Sequence, residues 1–590
     1  SAPANGHDII SVASAENTEL QANYFEVDEL SEGEEPAQVP WLGMSGADAP
    51  PSDGESEELA WIGSACAPDP VYDGDEEELL SDPEGKVALI KRGGCQFDTK
   101  YERAEEAGAT GVVIYNNTPG LFAGTVGDAG VEDVWSVGIG QADGEALVEE
   151  LEDDVEVTLG FTDEVISAPN PNGGLVSSFS SYGQDVELGF GPSVMAPGGL
   201  ITSTYPLATG GYAMLSGTSM AAPHVAGAVA LLLEDEPDLD PIEVRDRLQN
   251  TAEPAPWSLA PESGLLDHSF RQGAGLIQID QAIDAEHAVS PGQLAAGDGA
   301  EPVERTIRVS NDTNEPVEYD LGFTPALETG WDTYLLGGGF FLAGAEAEFG
   351  VTFEHDSVTV AGGSTAEVEA TIMPPSVGLP NHQYGGYITM TPDTDELPTL
   401  RVPYSGFAGD YQSMPLLGAI QPDGTIDEVD PVLSEIADVD EQGAPITEPV
   451  DEGHEFTVRD GDYPVIDAFF GHYPQRMEVY AVQQPSGRER LVMSQEYLPR
   501  SPQPGEFLPF PWDGTTASGQ SDNTRPVPSG TYTLEVNVLR ALGDPDNEDH
   551  WETWESPEFE LDSRRGGPGS GEGPRGPGSG PDSGPRGNGR

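Results

Sequence analysis

The stretch Gly217-Thr218-Ser219-Met220-Ala221-Ala222-Pro223-His224-Val225-Ala226-Gly227, continuing as Ala228-Val229-Ala230-Leu231-Leu232-Leu233, decides how the chain is read. A short loop, Ser216-Gly217-Thr218, delivers a serine to the first turn of a helix whose residues are apolar on nearly every side. A helix of that kind is expected in the middle of a domain. Pro223 is tolerated because amides in the first turn have no intrahelical partner. Ser219 is thereby expected at a buried helix N-terminus, where free amides and the helix dipole favour an oxyanion, a setting suited to a nucleophile. A serine that merely caps a helix fits the same position, and the stretch alone leaves both readings open.

The eleven residues Gly217 to Gly227 resemble, position for position, the nucleophile segment of the subtilisin-like serine peptidases, the subtilases. Phe179-Ser180-Ser181-Tyr182-Gly183 and Val194-Met195-Ala196-Pro197-Gly198-Gly199 resemble the two segments that precede the serine in that family, in the same order. The nucleophile elbow of the α/β-hydrolases fits less well, since Ala221 stands where its second glycine belongs and no strand leads directly into the serine. The resemblance implies Ser219 as catalytic nucleophile, with its own backbone N–H as one of two oxyanion donors. It implies Gly217 and Thr218 as substrate-binding residues, with Gly210 and Gly211 leaving room for a peptide backbone. Calcium sites are common in the family, but no ligand cluster here is specific enough to name, so no metal residue and no cofactor is assigned.

At 590 residues the chain is too long for one domain, and about four are expected. Its 106 acidic against 23 basic residues give a formal charge of −83, which excludes nucleic acid as a natural partner and opposes an anionic membrane surface. No stretch reaches the roughly 20 apolar residues of a membrane span; Val225 to Leu233 is broken by Glu234 and Asp235. No signal peptide is visible, and the chain starts at Ser1 and not at methionine. The two cysteines, Cys66 and Cys95, are either free thiols or, in a secreted protein, a disulfide worth roughly 3–4 kcal/mol for a loop of this length.

Residues 1–19 carry a short apolar run suited to a buried strand and resemble the subtilase segment just after the oxyanion-hole asparagine. By that resemblance the catalytic aspartate, the catalytic histidine and the asparagine lie before residue 1. None of the nine histidines stands in a His-Gly-Thr setting. His7 reads as a surface residue in a loop, and His224, pointing away from Ser219, as a satisfied core histidine. Residues 20–160 interrupt the pattern. There Arg92, Gly93, Cys95, Phe97, Lys100, Ala107, Gly108 and Ala109 resemble the pattern of a protease-associated domain, which in this family is a lid-like insertion near the cleft. The peptidase resumes over 161–288, with a strand expected from Leu175 to Tyr182 and a second helix from Asp240-Pro241 onward, opened by an acidic cap and a proline at its first position.

From 289 to 410 period-two strands separated by turn residues read as an antiparallel β-sandwich, placed like the fibronectin type III-like domain of large subtilases. Residues 411–562 resemble an immunoglobulin-like β-rich module, and 563–590, a Gly/Pro/Arg tail with no apolar residue to bury, is expected to be disordered. The fold class is therefore multidomain: a partial α/β subtilisin-like peptidase domain with an inserted protease-associated α/β domain, two β-sandwich domains and a disordered tail. The expected function is a secreted serine endopeptidase acting on protein or peptide substrates. Without the upstream aspartate and histidine, this chain alone is expected to be nearly inactive. The alternative is a catalytically inactive, subtilase-derived binding protein.

An acid-dominated surface repels itself, and the repulsion is damped once salt shortens the screening length to a few ångströms. The melting temperature is therefore expected to rise from dilute buffer to molar salt. A flat profile in a salt series followed by circular dichroism would refute this.

Overall fold

A computed structural model describes residues 6, 9–27, 37–44, 46–51, 56–66, 79–122, 124–126, 134–153, 155–209, 211–329, 340–342, 350–375, 382–420, 426–439, 445–459, 461–501, 506–517 and 524–563. His7, Gly210 and the tail from 564 lie outside the described residues. The chain opens on β1 (Val12–Glu16) and at once enters a closed barrel. In chain order the barrel is β2 (Glu19–Val27), β3 (Ala37–Gly43), β4 (Ser56–Trp61), β5 (Val87–Lys91), α1 (Phe97–Glu106), β6 (Gly111–Tyr115), β7 (Trp135–Ile139), α2 (Gln141–Glu152) and β8 (Thr158–Pro169). The strands follow the order β2-β3-β7-β6-β5-β4-β8, and β8 closes the ring on β2 from Glu19↔Pro169 to Val27↔Leu159.

Inside that barrel β4, β5, β6 and β7 run parallel. Parallel strands are covered on both faces, which explains their unbroken apolar runs. Val87, Leu89 and Val113 enter the cluster holding Leu147 of α2, while Ala88, Ile90, Val112 and Ile114 face Tyr101 and Ala104 of α1. Cys66, just beyond β4, and Cys95, just before α1, form a disulfide with their Cα atoms 5.6 Å apart.

Beyond the barrel come β9 (Val194–Gly199), the hairpin β10 (Ile201–Thr204) and β11 (Tyr212–Leu215), then α3 (Thr218–Asp235) and α4 (Pro241–Asn250). β9 pairs in parallel with β1, Val12 opposite Val194. Residues 175–182 form turns and one isolated bridge, Ala15↔Val176, where a strand was expected. Their polar groups are taken by local turns and by β1 instead: the Ser177 amide donates to Ser14 O, and the Ser14 amide donates to Ser180 Oγ. α4 starts as its sequence requires, with Pro241 in the first turn and a reciprocal Asp240/Glu243 capping box.

Helix α3 departs from expectation. Ala221, Val225, Ala228 and Leu232 form one buried stripe against Val194, Ala196, Val244, Leu248 and Ala282. The opposite stripe of Ala222, Pro223, Ala226, Gly227, Ala230 and Leu231 is exposed. Within these 590 residues the helix is thus covered on one side. His224 falls on the exposed side, its Nδ1 2.9 Å from Met220 O, so it is no core histidine.

C-terminal to α4, a buried ionic group ties the domain together. The Asp267 carboxylate accepts from Ser258, from the His268 ring at 2.9 Å and from the Arg271 guanidinium at 3.1 Å. Burial pushes the Asp267 carboxyl up, but the His268 hydrogen bond and the Arg271 charge outweigh it and hold the group at about 2. Burial, only partly opposed by Asp267, pulls the His268 ring down. Arg271 also donates to Ser177 O and lies over the Tyr182 ring.

Two β-rich units follow. The first stacks a sheet ordered His287–Ser290, Val303–Asn311, Ser364–Met373, Gly350–Phe353 on a second containing Leu294–Asp298, Leu400–Ala408, His382–Pro392, Val317–Pro325 and Ser357–Val360. The second unit closes its two sheets over Phe456, Phe470, Phe510, Trp512 and Tyr532. Tyr387 donates to Gly273 O and Ser269 to Tyr404 O, seating the first β unit on the peptidase segment through buried bonds. Val186, Leu188, Phe407, Tyr411, Met414 and Ala541 join all three parts in one apolar cluster.

Two measurements test this packing. Leu232, 0 % exposed, should lose about 2–5 kcal/mol on truncation to alanine, whereas Leu231, 51 % exposed, should lose less than about 0.5 kcal/mol. Equal losses in urea titrations would mean that α3 is covered on both sides. Asp267→Asn should cost about 3 kcal/mol by leaving Arg271 buried without its counter-charge. Because the Asp267 pKa is depressed in the fold, its contribution is complete above about pH 4 and is lost as pH falls toward 2. The neutral His268 adds a loss beginning below about pH 6.5. The variant's acid-unfolding curve should lack the lower of these two segments.

Candidate active site

The site is built where the end of β9 meets the start of α3. The Gly217 amide donates to Gly198 O at 2.8 Å, the Leu200 amide donates to Ser216 Oγ at 2.9 Å, and the Met220 amide donates to Gly217 O at 2.9 Å. This leaves no room for a side chain at Gly198. A Cβ there would lie 2.4 Å from Ser14 Oγ, 2.6 Å from Gly217 O and 3.0 Å from Ala221 Cβ. Gly217 is extended, so its backbone would suit any residue.

Ser219 is the second residue of α3 and is exposed, not buried as its apolar neighbours suggested. The reason is the one-sided burial of the helix: Ala221 and Val225 turn inward, and Ser219 and Ala222 turn outward. At this position its N–H has no carbonyl one turn back, and among the described residues no acceptor takes it. The serine therefore combines an open hydroxyl, an unspent amide and the positive end of an 18-residue helix. Two hollows adjoin it in sequence. Thr218 lines one of ≈590 Å³ with Ser11, Ser180, Tyr182 and Arg245. His224 lines another of ≈500 Å³ with Thr18, Gln21, Ser167, Pro197 and Thr202, between the barrel and the helix.

Beneath the loop lies a set of buried hydroxyls that sequence reading did not single out as a group. Ser14 Oγ is 2.9 Å from Ser177 Oγ, and Ser14 is the residue against which Gly198 rests. Ser177 in turn receives Arg271, so the Asp267 group supports the loop before α3 from behind. A serine at a buried position of a short strand was the only signal available.

Among the described residues no hydrogen bond joins Ser219 to a histidine. His268 is committed to Asp267, His382 to Glu328 and His287 to Tyr319, all buried. Glu435, His454 and Asp462, in the second β unit, bring ligand-type atoms within 4.8 Å of one another, half-buried, with Asp462 already accepting from Thr457.

Residues 1–275 match the model of the subtilase family, and residues 297–405 match that of an Fn3-like domain. The PI-type proteinase of Lactococcus lactis subsp. cremoris is 29 % identical over 358 residues, covering 56 % of this chain and 18 % of the relative. The minor extracellular protease Vpr of Bacillus subtilis is 33 % identical over 254 residues, covering 41 % and 30 %. The C5a peptidase of Streptococcus pyogenes serotype M18 is 28 % identical over 353 residues, covering 57 % and 29 %. The matched region thus spans less than a third of each relative's length. Residues 1–275 thus match the subtilase family, with an exposed serine at the head of α3, and the match to an Fn3-like domain over residues 297–405 follows in the same chain.

Proposed function

We propose that this chain is the nucleophile-bearing part of a secreted serine endopeptidase that cleaves proteins through an acyl-enzyme on Ser219. The observation that carries the reading is the exposed Ser219 hydroxyl beside its own unspent amide at the N-terminus of α3. In the first step Ser219 Oγ attacks the scissile carbonyl carbon while its proton passes to a histidine held by an aspartate. The carbonyl oxygen becomes an oxyanion, which the Ser219 N–H and the helix dipole stabilise. Gly217 and Thr218 border the approaching peptide. The histidine, the aspartate and the second oxyanion donor, an asparagine, come from sequence upstream of residue 1. Neither a cofactor nor a nucleic acid enters this reading; calcium would have only a structural role.

The barrel over Glu19–Pro169 serves as a protease-associated domain beside the cleft, supported by its glycine turn at Gly93–Gly94 and by the hollow it shares with α3. The β-rich unit after residue 411 serves as an immunoglobulin-like module. Secretion is supported by the disulfide and by the similarity to the minor extracellular protease of Bacillus subtilis. The second reading, an inactive binding protein, is favoured by one observation: no histidine bonds Ser219 among the described residues. Removal of the histidine from a subtilisin triad costs about a millionfold in turnover, so the 590 residues alone should be nearly inert.

A fluorophosphonate probe separates the readings. Protein extended by its upstream coding sequence should label at Ser219, Ser219→Ala should not, and the 590-residue chain should label at least a thousandfold more slowly. An extended protein that stays unlabelled while folded would leave the binding role standing.

A further inference from the structure

Only three lysines occur in the chain, and one of them, Lys100, is wholly buried. Its ammonium lies 3.4 Å from Cys66 Sγ and 2.5 Å from Ser64 O, in contact with one sulfur of the Cys66–Cys95 disulfide. The Arg103 guanidinium donates to the Cys66 carbonyl on the same side. In a protein of net charge −83, two cations have been gathered around one cysteine. Nothing in the peptidase chemistry uses them.

The two sulfurs are placed unequally. Cys66 is 4 % exposed and faces Lys100. Cys95 is 9 % exposed and sits in the turn Gly93-Gly94-Cys95-Gln96, between two exposed residues. Gly94 has φ +83, and a Cβ there would reach within 3.0 Å of Cys66 Sγ. At Gly94 the turn therefore passes the disulfide as bare backbone, close to Cys66 Sγ.

From this geometry we infer that Cys95 is a thiolation site for small thiols, with Lys100 setting the direction of exchange. A thiolate attacks Cys95 Sγ. The Cys95–Cys66 bond breaks and its electron pair leaves on Cys66 Sγ as a thiolate, which the Lys100 ammonium receives. The new bond joins the incoming sulfur to Cys95, and no oxidant is consumed. Exchange is faster when the departing sulfur is the better-stabilised thiolate, and a neighbouring ammonium supplies that stabilisation. A second thiolate attacking the small-thiol sulfur of the mixed disulfide would form the symmetric disulfide of the small thiol and release Cys95 as a thiolate, so both cysteines end reduced and two small thiols oxidised. This inference is independent of the peptidase reading, since it involves the barrel alone.

The test incubates the whole 590-residue chain with reduced glutathione, quenches with N-ethylmaleimide and maps the peptides by mass spectrometry. Glutathione is expected on Cys95 and maleimide on Cys66, by at least about tenfold over the reverse pattern. An even mixture, the reverse pattern, or a disulfide that does not exchange in millimolar glutathione would overturn the inference. Lys100→Met should slow exchange about tenfold and erase the preference, while Lys100→Arg should keep it. Exchange by Lys100→Met at the wild-type rate with the wild-type pattern would also overturn it. Should Lys100→Met fail to fold, the adduct map of the wild type and of Lys100→Arg decides the matter alone.

Discussion

The contact between Gly198 and Gly217 governs the rest of the peptidase segment. One backbone hydrogen bond of 2.8 Å holds the last turn of β9 to the loop that starts α3, and the absence of a side chain at Gly198 lets Ser14, Gly217 and Ala221 close on it. Any side chain there would push the helix off the sheet, because the atoms it meets include a backbone carbonyl that cannot rotate away. The serine's presentation therefore depends on a close approach of main chains more than on any side-chain contact of its own.

That contact is stiffened from below by polar groups, which is unusual in so apolar a neighbourhood. Ser14, Ser177 and Ser180 satisfy one another and the backbone of β1, and Arg271 carries the support back to Asp267 and His268. Buried polar groups of this sort hold their geometry because each alternative leaves a donor or acceptor without a partner. The Fn3-like domain rests on the same region through Tyr387 and Tyr404, so the loop before α3, the ionic group and the first β unit are linked by buried hydrogen bonds.

The barrel stands apart in its chemistry. It contains the disulfide and all three lysines, whereas the rest of the chain relies on arginine for its cations. Its parallel strands are buried on both faces, and β2 and β8 are zipped together where the chain enters and leaves. A barrel entered and left through paired neighbouring strands leaves β1 and β9, whose own pairing is made elsewhere, undisturbed.

Much of this was legible in the residues. The serine before a helix, the Asp240-Pro241 start of α4, the apolar runs of β5 and β6 and the period-two strands after residue 289 are all local signals, in which neighbouring residues along the chain satisfy one another's backbone or share one face. Composition and periodicity alone could also settle the acidic surface and the lack of a long apolar helix. Which side of α3 is covered, the exposure of Ser219 and His224, the closing of the barrel and the placing of Lys100 on Cys66 were decided only in three dimensions. Ser14 and Ser177 are 163 positions apart, and Lys100 lies 34 from Cys66. A pattern read within one window carries no information about such partners, because burial is a property of what arrives from the other side.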